Sequence, residues 1–396
     1  MSRIMDIIEK GTGGHSYKSH RFCYDSTPKQ GIAYDPTNDA DTWIAQGEDI
    51  DPKNANVSVK DLAQQLAESD ESRFKYFLDG SRHTYKIDDI AYNKLVFPVI
   101  AGQIGVGCCS RENKNLQKEI FKRKLVVVLP DQAREDWEFQ TQYLRLCENI
   151  NQNNFLRKIG IQFDEILDYS TSLPTDGSTF ETLGIARVQD SMIQLEKELV
   201  AELVSKKKLK EEAMLVKDGS LKYQKMPKKE GAEGNDLLDK KFRARYAHVI
   251  GVSKSFNPTK CYTGEEKSGH SKSDSQRVAK LKPFERTPVN MYCSKHTGGA
   301  WFAVWYVRLR DAQYSSNVFD GVIKVEKIVD FLEDGEKPEP FPTDEANDIT
   351  AHLMNERNPV CYGVDGRWAN HIYPIYMTER YIKSQYLSSN LFLELF

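Results

Sequence analysis

Between residues 74 and 255 the chain spells a series of β-type segments broken by a long amphipathic helix. That order leaves few folds open. RFKYFLDGS alternates apolar and polar residues and then meets Asp-Gly-Ser at 79–81, which predicts a strand stopping in a tight turn. DIAYNKLVFPVIAGQIGVGCC and RKLVVVLP follow as further β-type runs. From Ala186 to Lys210 the period changes. Met192, Leu195, Leu199 and Leu203 recur at three- and four-residue steps, the stripe of a helix packed on a sheet. EEAMLVKDGSL at 211–221 and RYAHVIGVSKS at 245–255 then return to strand. WFAVWYVRL at 301–309 adds another, and its alternation places Trp301, Trp305 and Tyr306 in a core. Strands and helices in this mixture predict an α/β fold, a mixed sheet flanked by helices.

The flanks read differently. Residues 1–70 are polar and turn-rich, with one helix-like piece from Val59 to Glu68, and predict an N-terminal extension or cap. The remaining domain is expected to span 71–396. Within it, residues 131–170 are polar, amphipathic and helical in pattern, an insertion of about 131–180 with its flanks. The Lys/Ser-rich stretch 257–285 reads as a second insertion, a mobile loop, and 225–241 as a solvated loop.

Net charge narrows the partners. Lys and Arg number 55 against 58 Asp and Glu, for a net charge of -3. A nucleic-acid surface, if present, must therefore be a local patch. No apolar stretch approaches the ~20 residues a membrane helix needs, and MSRIMDIIEKGTGGHSYKSH lacks the apolar core of a signal peptide. A cytoplasmic protein is expected, with no membrane partner. The seven cysteines show no framework spacing and read as reduced thiols. Several motifs fail on inspection. Gly102, Gly105 and Gly107 do not make a dinucleotide fingerprint. His270 stands where a phosphate loop needs its lysine, and Cys261, His270, Cys293 and His296 lack zinc spacing.

The chemistry is expected at the repeated Asp-Gly-Ser. Two apolar strands each deliver an aspartate, Asp79 and Asp218, to a strand end, and the glycine allows close approach of a ligand. Side by side, such carboxylates repel unless a cation joins them. Hard ions such as Mg²⁺ or Mn²⁺ take oxygen ligands and keep water positions open for a phosphate. A single Asp-Gly-Ser is more often a plain turn. A third carboxylate is expected from the long helix, with Glu196 and Glu202 as candidates and Glu198 behind them.

The order FLDGS, AGQIGVG, helix with an internal Glu, LVKDGSL, HVIGVSKS resembles the NurA family of DNA-end-processing nucleases. The tail adds Tyr362 and His371, followed by YPIYMTERYIKS, similar to the closing helix of that family. The resemblance covers residues 74–385 in outline and is weakest from 110 to 185. It implies a ribonuclease-H-like core and a Mn²⁺- or Mg²⁺-dependent deoxyribonuclease, acting as a 5′–3′ exonuclease and single-strand endonuclease. Asp79, Glu196 and Asp218 would hold metal, His371 would complete the site as a further ligand or as a proton carrier near the scissile phosphate, and Tyr362 would position a phosphate or water. Lys254 would face the DNA backbone as a point charge. The implied partners are single-stranded and duplex DNA ends, a second copy of the chain, and a HerA-type hexameric ATPase, since the chain has no phosphate loop of its own. Repair and anti-phage defence are both compatible with it. Ile4, Ile7 and Ile8 are candidates for a docking surface, or for simple packing of an N-terminal helix. Two other functions stay open: a non-catalytic nucleic-acid-binding subunit, and a different ribonuclease-H-like RNA or DNA nuclease.

Overall fold

The computed structural model describes residues 3–26, 42–50, 55–69, 72–172, 178–221, 243–261, 274–294, 300–314, 317–331, 338–359 and 368–396. Its strands are β1 (His15–Tyr17), β2 (Phe22–Cys23), β3 (Thr42–Gln46), β4 (Val57–Ser58), β5 (Phe74–Tyr92), β6 (Leu95–Glu112) and β7 (Asn115–Pro130). They continue as β8 (Glu165–Tyr169), β9 (Met214–Asp218), β10 (Val249–Ser253), β11 (Glu285–Arg286), β12 (Asn290–Ser294), β13 (Ala300–Arg308) and β14 (Val322–Phe331). The helices are α1 (Ile4–Thr12), α2 (Lys60–Ser69), α3 (Gln140–Leu144), α4 (Leu146–Asn151), α5 (Asn154–Ile159), α6 (Phe180–Ser205), α7 (Ser275–Ala279), α8 (Thr343–Asn355), α9 (Tyr373–Ser384) and α10 (Ser389–Glu394).

One mixed sheet organises them, in the order β3-β12-β13-β14-β10-β9-β5-β6-β7-β8. Its centre runs β7-β6-β5-β9-β10. β5, β6 and β7 are antiparallel neighbours, and β9 and β10 lie parallel to β5. A helix, α6, crosses between the antiparallel meander and β9. This is the ribonuclease-H-like arrangement expected from the sequence. The meander turns at Asn113 and Lys114 with φ of 47° and 66°, the left-handed pair of a two-residue hairpin.

Helix α6 begins earlier and ends earlier than the 186–210 pattern. Thr179 caps it by accepting from the Thr182 N–H, and Lys207, at φ 53°, turns the chain out after Ser205. Its stripe of Val188, Met192, Leu195, Leu199 and Leu203 is buried against one face of the sheet. Each such side chain contributes roughly 1.5–3 kcal/mol. The opposite face carries a second core, where Phe74, Phe77, Val216, Ile250 and Trp305 meet Ile349 and Leu353 of α8 and Ile375 of α9. Trp301, Trp305 and Tyr306 are buried on β13, and Trp305 Nε1 donates to the Thr350 hydroxyl at 2.9 Å.

Three expectations are corrected. The first Asp-Gly-Ser does not end a strand: β5 runs on to Tyr92 because β6 pairs with it on both sides of Asp79, which faces Gly107. The 131–170 segment is not only helical. After α3, α4 and α5 it ends in β8, which pairs in parallel with β7 at the sheet edge. Ile4 and Ile8, offered as docking residues, are fully buried, because α1 lays its apolar face on the core beside α3 and α4, with Ile7 packed partly against it. The N-terminal strands β1 and β2 also add directly to the distal half of β5. Among the described residues no helix is long and apolar enough to cross a membrane.

Candidate functional site

The site lies at a notch in the sheet. On one edge of β5, pairing with β9 stops at Leu78, and pairing with β2 starts only at Tyr85. Among the described residues no strand covers that edge between them. The far end is closed by Asp25, which accepts from the Thr84 N–H and pairs with Arg82 at 3.0 Å. The near end holds Asp79, Gly80 and Ser81.

Strand alternation assigns the faces. Gly80 turns towards α6, where a Cβ would overlap Glu196 Oε1. Glycine there leaves room for the Glu196 carboxylate, which any side chain would push aside, although the strand continues. Glu196 pairs with Lys217 at 2.9 Å, and both are buried. Lys217 also donates to the Asp218 carbonyl at 2.8 Å. Burial pushes the Glu196 carboxyl up, and the Lys217 charge opposes that push.

Asp79 and Asp218 turn to the other face, on adjacent parallel strands ~4.8 Å apart. Asp218 is the last residue of β9, because Gly219 follows at φ 83°, a left-handed conformation glycine adopts without strain. Lys254, just past β10, lies 3.1 Å from Asp218 and 3.4 Å from Glu379 of α9. Glu379 in turn pairs with Lys383 at 2.7 Å. Asp79 is buried, and its Oδ2 has no hydrogen-bond partner among the described residues. Burial first, and the Asp218 charge second, raise its carboxyl well above the usual range. Burial raises Glu379 too, but Lys254 and Lys383 outweigh it and hold that carboxyl at about 2. His371 is buried on this side, its ring stacked on Tyr376 at 5.1 Å.

The cluster thus sets Asp79, Asp218 and Glu379 around one buried ammonium, an excess of negative charge that an added cation relieves. Asp218 and Glu379, with side chains 20% and 16% exposed, are the members that reach solvent. Among the described residues no three His, Cys, Asp or Glu side chains are grouped as a ready metal centre. Two facing carboxylates, one with an orphaned buried oxygen, fit a hard ion that takes one or two protein oxygens and keeps its remaining waters.

Of the sequence candidates, Asp79 and Asp218 are brought together, and His371 lies on their side of the sheet. Glu196 is near but on the opposite face, bound to Lys217. Glu202 is elsewhere, paired with Lys122 and Lys206, and Glu198 accepts from Gln194 on the exposed helix surface. Lys254 does not face outward. It is drawn under the surface by Asp218 and Glu379, which corrects its assignment as a contact to a DNA backbone. Tyr362 lies outside the described residues, as do His270 and His296. Sequence reasoning missed Lys217 and Glu379. Lys217 carried a signal, a lysine inside an apolar strand that requires a buried counter-ion. Glu379, four residues before Lys383, reads as an ordinary exposed helix pair.

The fold and this cluster define a mixed α/β protein with a ribonuclease-H-like centre and a carboxylate–lysine site at the sheet notch. No protein-family profile and no curated protein matches the chain. Among solved structures it is similar to the NurA nuclease from Sulfolobus solfataricus, at 12% identity over 82% of this chain and 88% of that one, with a TM-score of 0.39.

Gly80→Ala tests the geometry. The new methyl displaces Glu196 from Lys217, an overpacking that costs about 1–3 kcal/mol. Thermal denaturation should register it. An unchanged melting temperature would mean that Glu196 is not seated over Gly80.

Proposed function

We propose that this chain is a divalent-metal-dependent nuclease that hydrolyses DNA phosphodiesters at the β5–β9 notch. One observation carries the reading: Asp79 and Asp218 each follow the last paired residues of adjacent parallel strands, Leu78 and Lys217, close enough to act on each other's charge, and a buried Asp79 oxygen has no partner among the described residues. The motif order, which resembles that of NurA nucleases, is what suggests DNA as the substrate.

In this reading Asp79 and Asp218 hold Mn²⁺ or Mg²⁺. Bound there, such an ion supplies charge neutralisation at the phosphate and lowers the pKa of its water. The chain's own residues do the rest. Glu379 and Asn370 fix Lys254, the second by donating to its carbonyl at 2.9 Å, so an ammonium stays beside the carboxylates. That ammonium acts from beneath the site, partly offsetting the carboxylate charge that an approaching phosphate would otherwise meet. In this reading His371, buried on the same side of the sheet, is the proton carrier that the resemblance implies. Glu196, locked to Lys217, acts as a positioning residue through Gly80 and the β9 end. The two other activities in the resemblance, 5′–3′ exonuclease and single-strand endonuclease, are proposed with it. So are a homodimer and a HerA-type hexameric ATPase that feeds it strand.

The test is a cleavage assay on labelled single- and double-stranded DNA and RNA, with and without the ATPase and ATP. Cleavage should require a divalent ion, with Mn²⁺ at least as effective as Mg²⁺ and Ca²⁺ inactive. Robust cleavage in excess chelator would end the metal reading, and RNA-only cleavage would end the DNA assignment.

A further inference from the structure

We propose that the cavity between Arg310 and Arg357 is a phosphate subsite that grips the backbone of a nucleic-acid strand beside the His371 loop. The inference rests on the nuclease reading for its ligand and goes beyond it in placing a contact.

The two arginines come from separate parts of the chain. Arg310 follows β13 and Arg357 follows α8. They meet across a cavity of about 320 Å³, also lined by Met354, Asn355 and Pro359. Neither guanidinium is loose. Arg310 lies over the Trp368 ring at 5.4 Å and Arg357 over the Phe284 ring at 4.9 Å, and Arg357 also donates to the Met354 carbonyl at 3.3 Å. Both line the same cavity, and burial, with the Arg310 charge adding to it, pulls the Arg357 pKa down. An anion in that cavity would meet two positive charges held from opposite walls. The planar fork of a guanidinium suits the paired oxygens of a phosphate.

Connectivity ties the cavity to the catalytic cluster. Arg357 bridges to Ile372, and the Asn358 N–H donates to the His371 carbonyl at 3.0 Å. On the other wall, the His371 N–H donates to the Trp368 carbonyl at 3.3 Å. Both arginines are thus fastened to the loop that presents His371. Asn370, on that same loop, donates to the Lys254 carbonyl. A strand whose phosphate sits between the arginines would be held in register with the notch by this short stretch of backbone.

The experiment measures binding of a labelled single-stranded 20-mer by fluorescence anisotropy, in chelator, across a salt series. The chain is used whole. Arg310→Gln and Arg357→Gln should each weaken binding about tenfold and reduce the slope of log affinity against log salt by about 1. Lys158→Gln, exposed on α5, should change neither. Wild-type affinity and slope in both arginine variants would overturn the subsite. Where Arg357→Gln fails to fold, the unmodified protein answers instead. The oligonucleotide should protect both arginines from phenylglyoxal, mapped by mass spectrometry, and equal labelling with and without it overturns the proposal. The two readings fail separately. Normal binding by the arginine variants removes the subsite alone, whereas metal-dependent cleavage surviving Asp79→Asn removes the catalytic assignment alone.

Discussion

Asp79→Asn is expected to abolish cleavage and, in the same protein without metal, to raise the melting temperature. The two effects have one cause. Asp79 is buried beside Asp218 with an oxygen that nothing in the described structure satisfies. Burial and that neighbouring charge hold its carboxyl well above the usual range. The native state therefore binds more protons than the unfolded chain, and metal-free stability falls as pH rises above the ordinary carboxylate range. Asparagine keeps the shape and removes the charge, so the variant should be more stable at pH 7. The advantage should shrink towards pH 4, where the wild-type carboxyl is protonated. Saturating Mn²⁺ should reverse the order, since only the wild type offers the ion two carboxylate charges, the asparagine amide oxygen being a neutral and weaker ligand. Removing several kcal/mol of metal-supplied stabilisation corresponds to a rate loss of about a thousandfold. Thermal melts across pH and metal, read beside a cleavage assay, separate the outcomes. A variant that cleaves normally sinks the site. A variant that is dead and also less stable in chelator at pH 7 sinks the account of why Asp79 is there.

What the sequence made legible is the local periodicity. The α6 stripe and the apolar runs of β9, β10 and β13 follow from side-chain pattern, because each buries one face on the sheet. The end of β5 was not legible. Whether Asp-Gly-Ser turns or runs on depends on β6, which pairs on both sides of Asp79, and on Glu196, which needs Gly80 bare. Those are contacts between segments far apart in sequence. The same limit governs the lysines. A basic residue after a strand reads as a surface charge, and only the packing of α9 against β5 and β9 shows that Lys254 points into a carboxylate cluster. Glu202 and Glu196 lie on one helix and differ in what the sheet offers them. One meets Lys122 near the rim, and the other meets a gap left by a missing Cβ.

Lys254→Met should produce the largest stability loss of any change at the site. The ammonium is buried among Asp218, Glu379 and Asp79, and these carboxylates outweigh the cost of burying it and raise its pKa. Methionine fills much of the volume and leaves the anions facing one another. Removing one partner of a buried ionic cluster costs about 3–5 kcal/mol. The pH dependence should shift as well. Glu379, held at about 2 largely by Lys254 and Lys383, contributes stability above the ordinary carboxylate range and loses it only as pH falls towards that value. Without Lys254 part of that contribution disappears, so the deficit should be widest at neutral pH and narrow in acid. Glu379→Gln in the same background should recover part of the loss by removing one of the repelling charges. A divalent ion should recover more, and it should raise the melting temperature of Lys254→Met further than that of the wild type. In the metal-free protein the lysine supplies the positive charge that the aspartates require. If Lys254→Met melts like the wild type in chelator, or if Mn²⁺ stabilises both equally, then the ammonium and the metal do not answer to the same carboxylates.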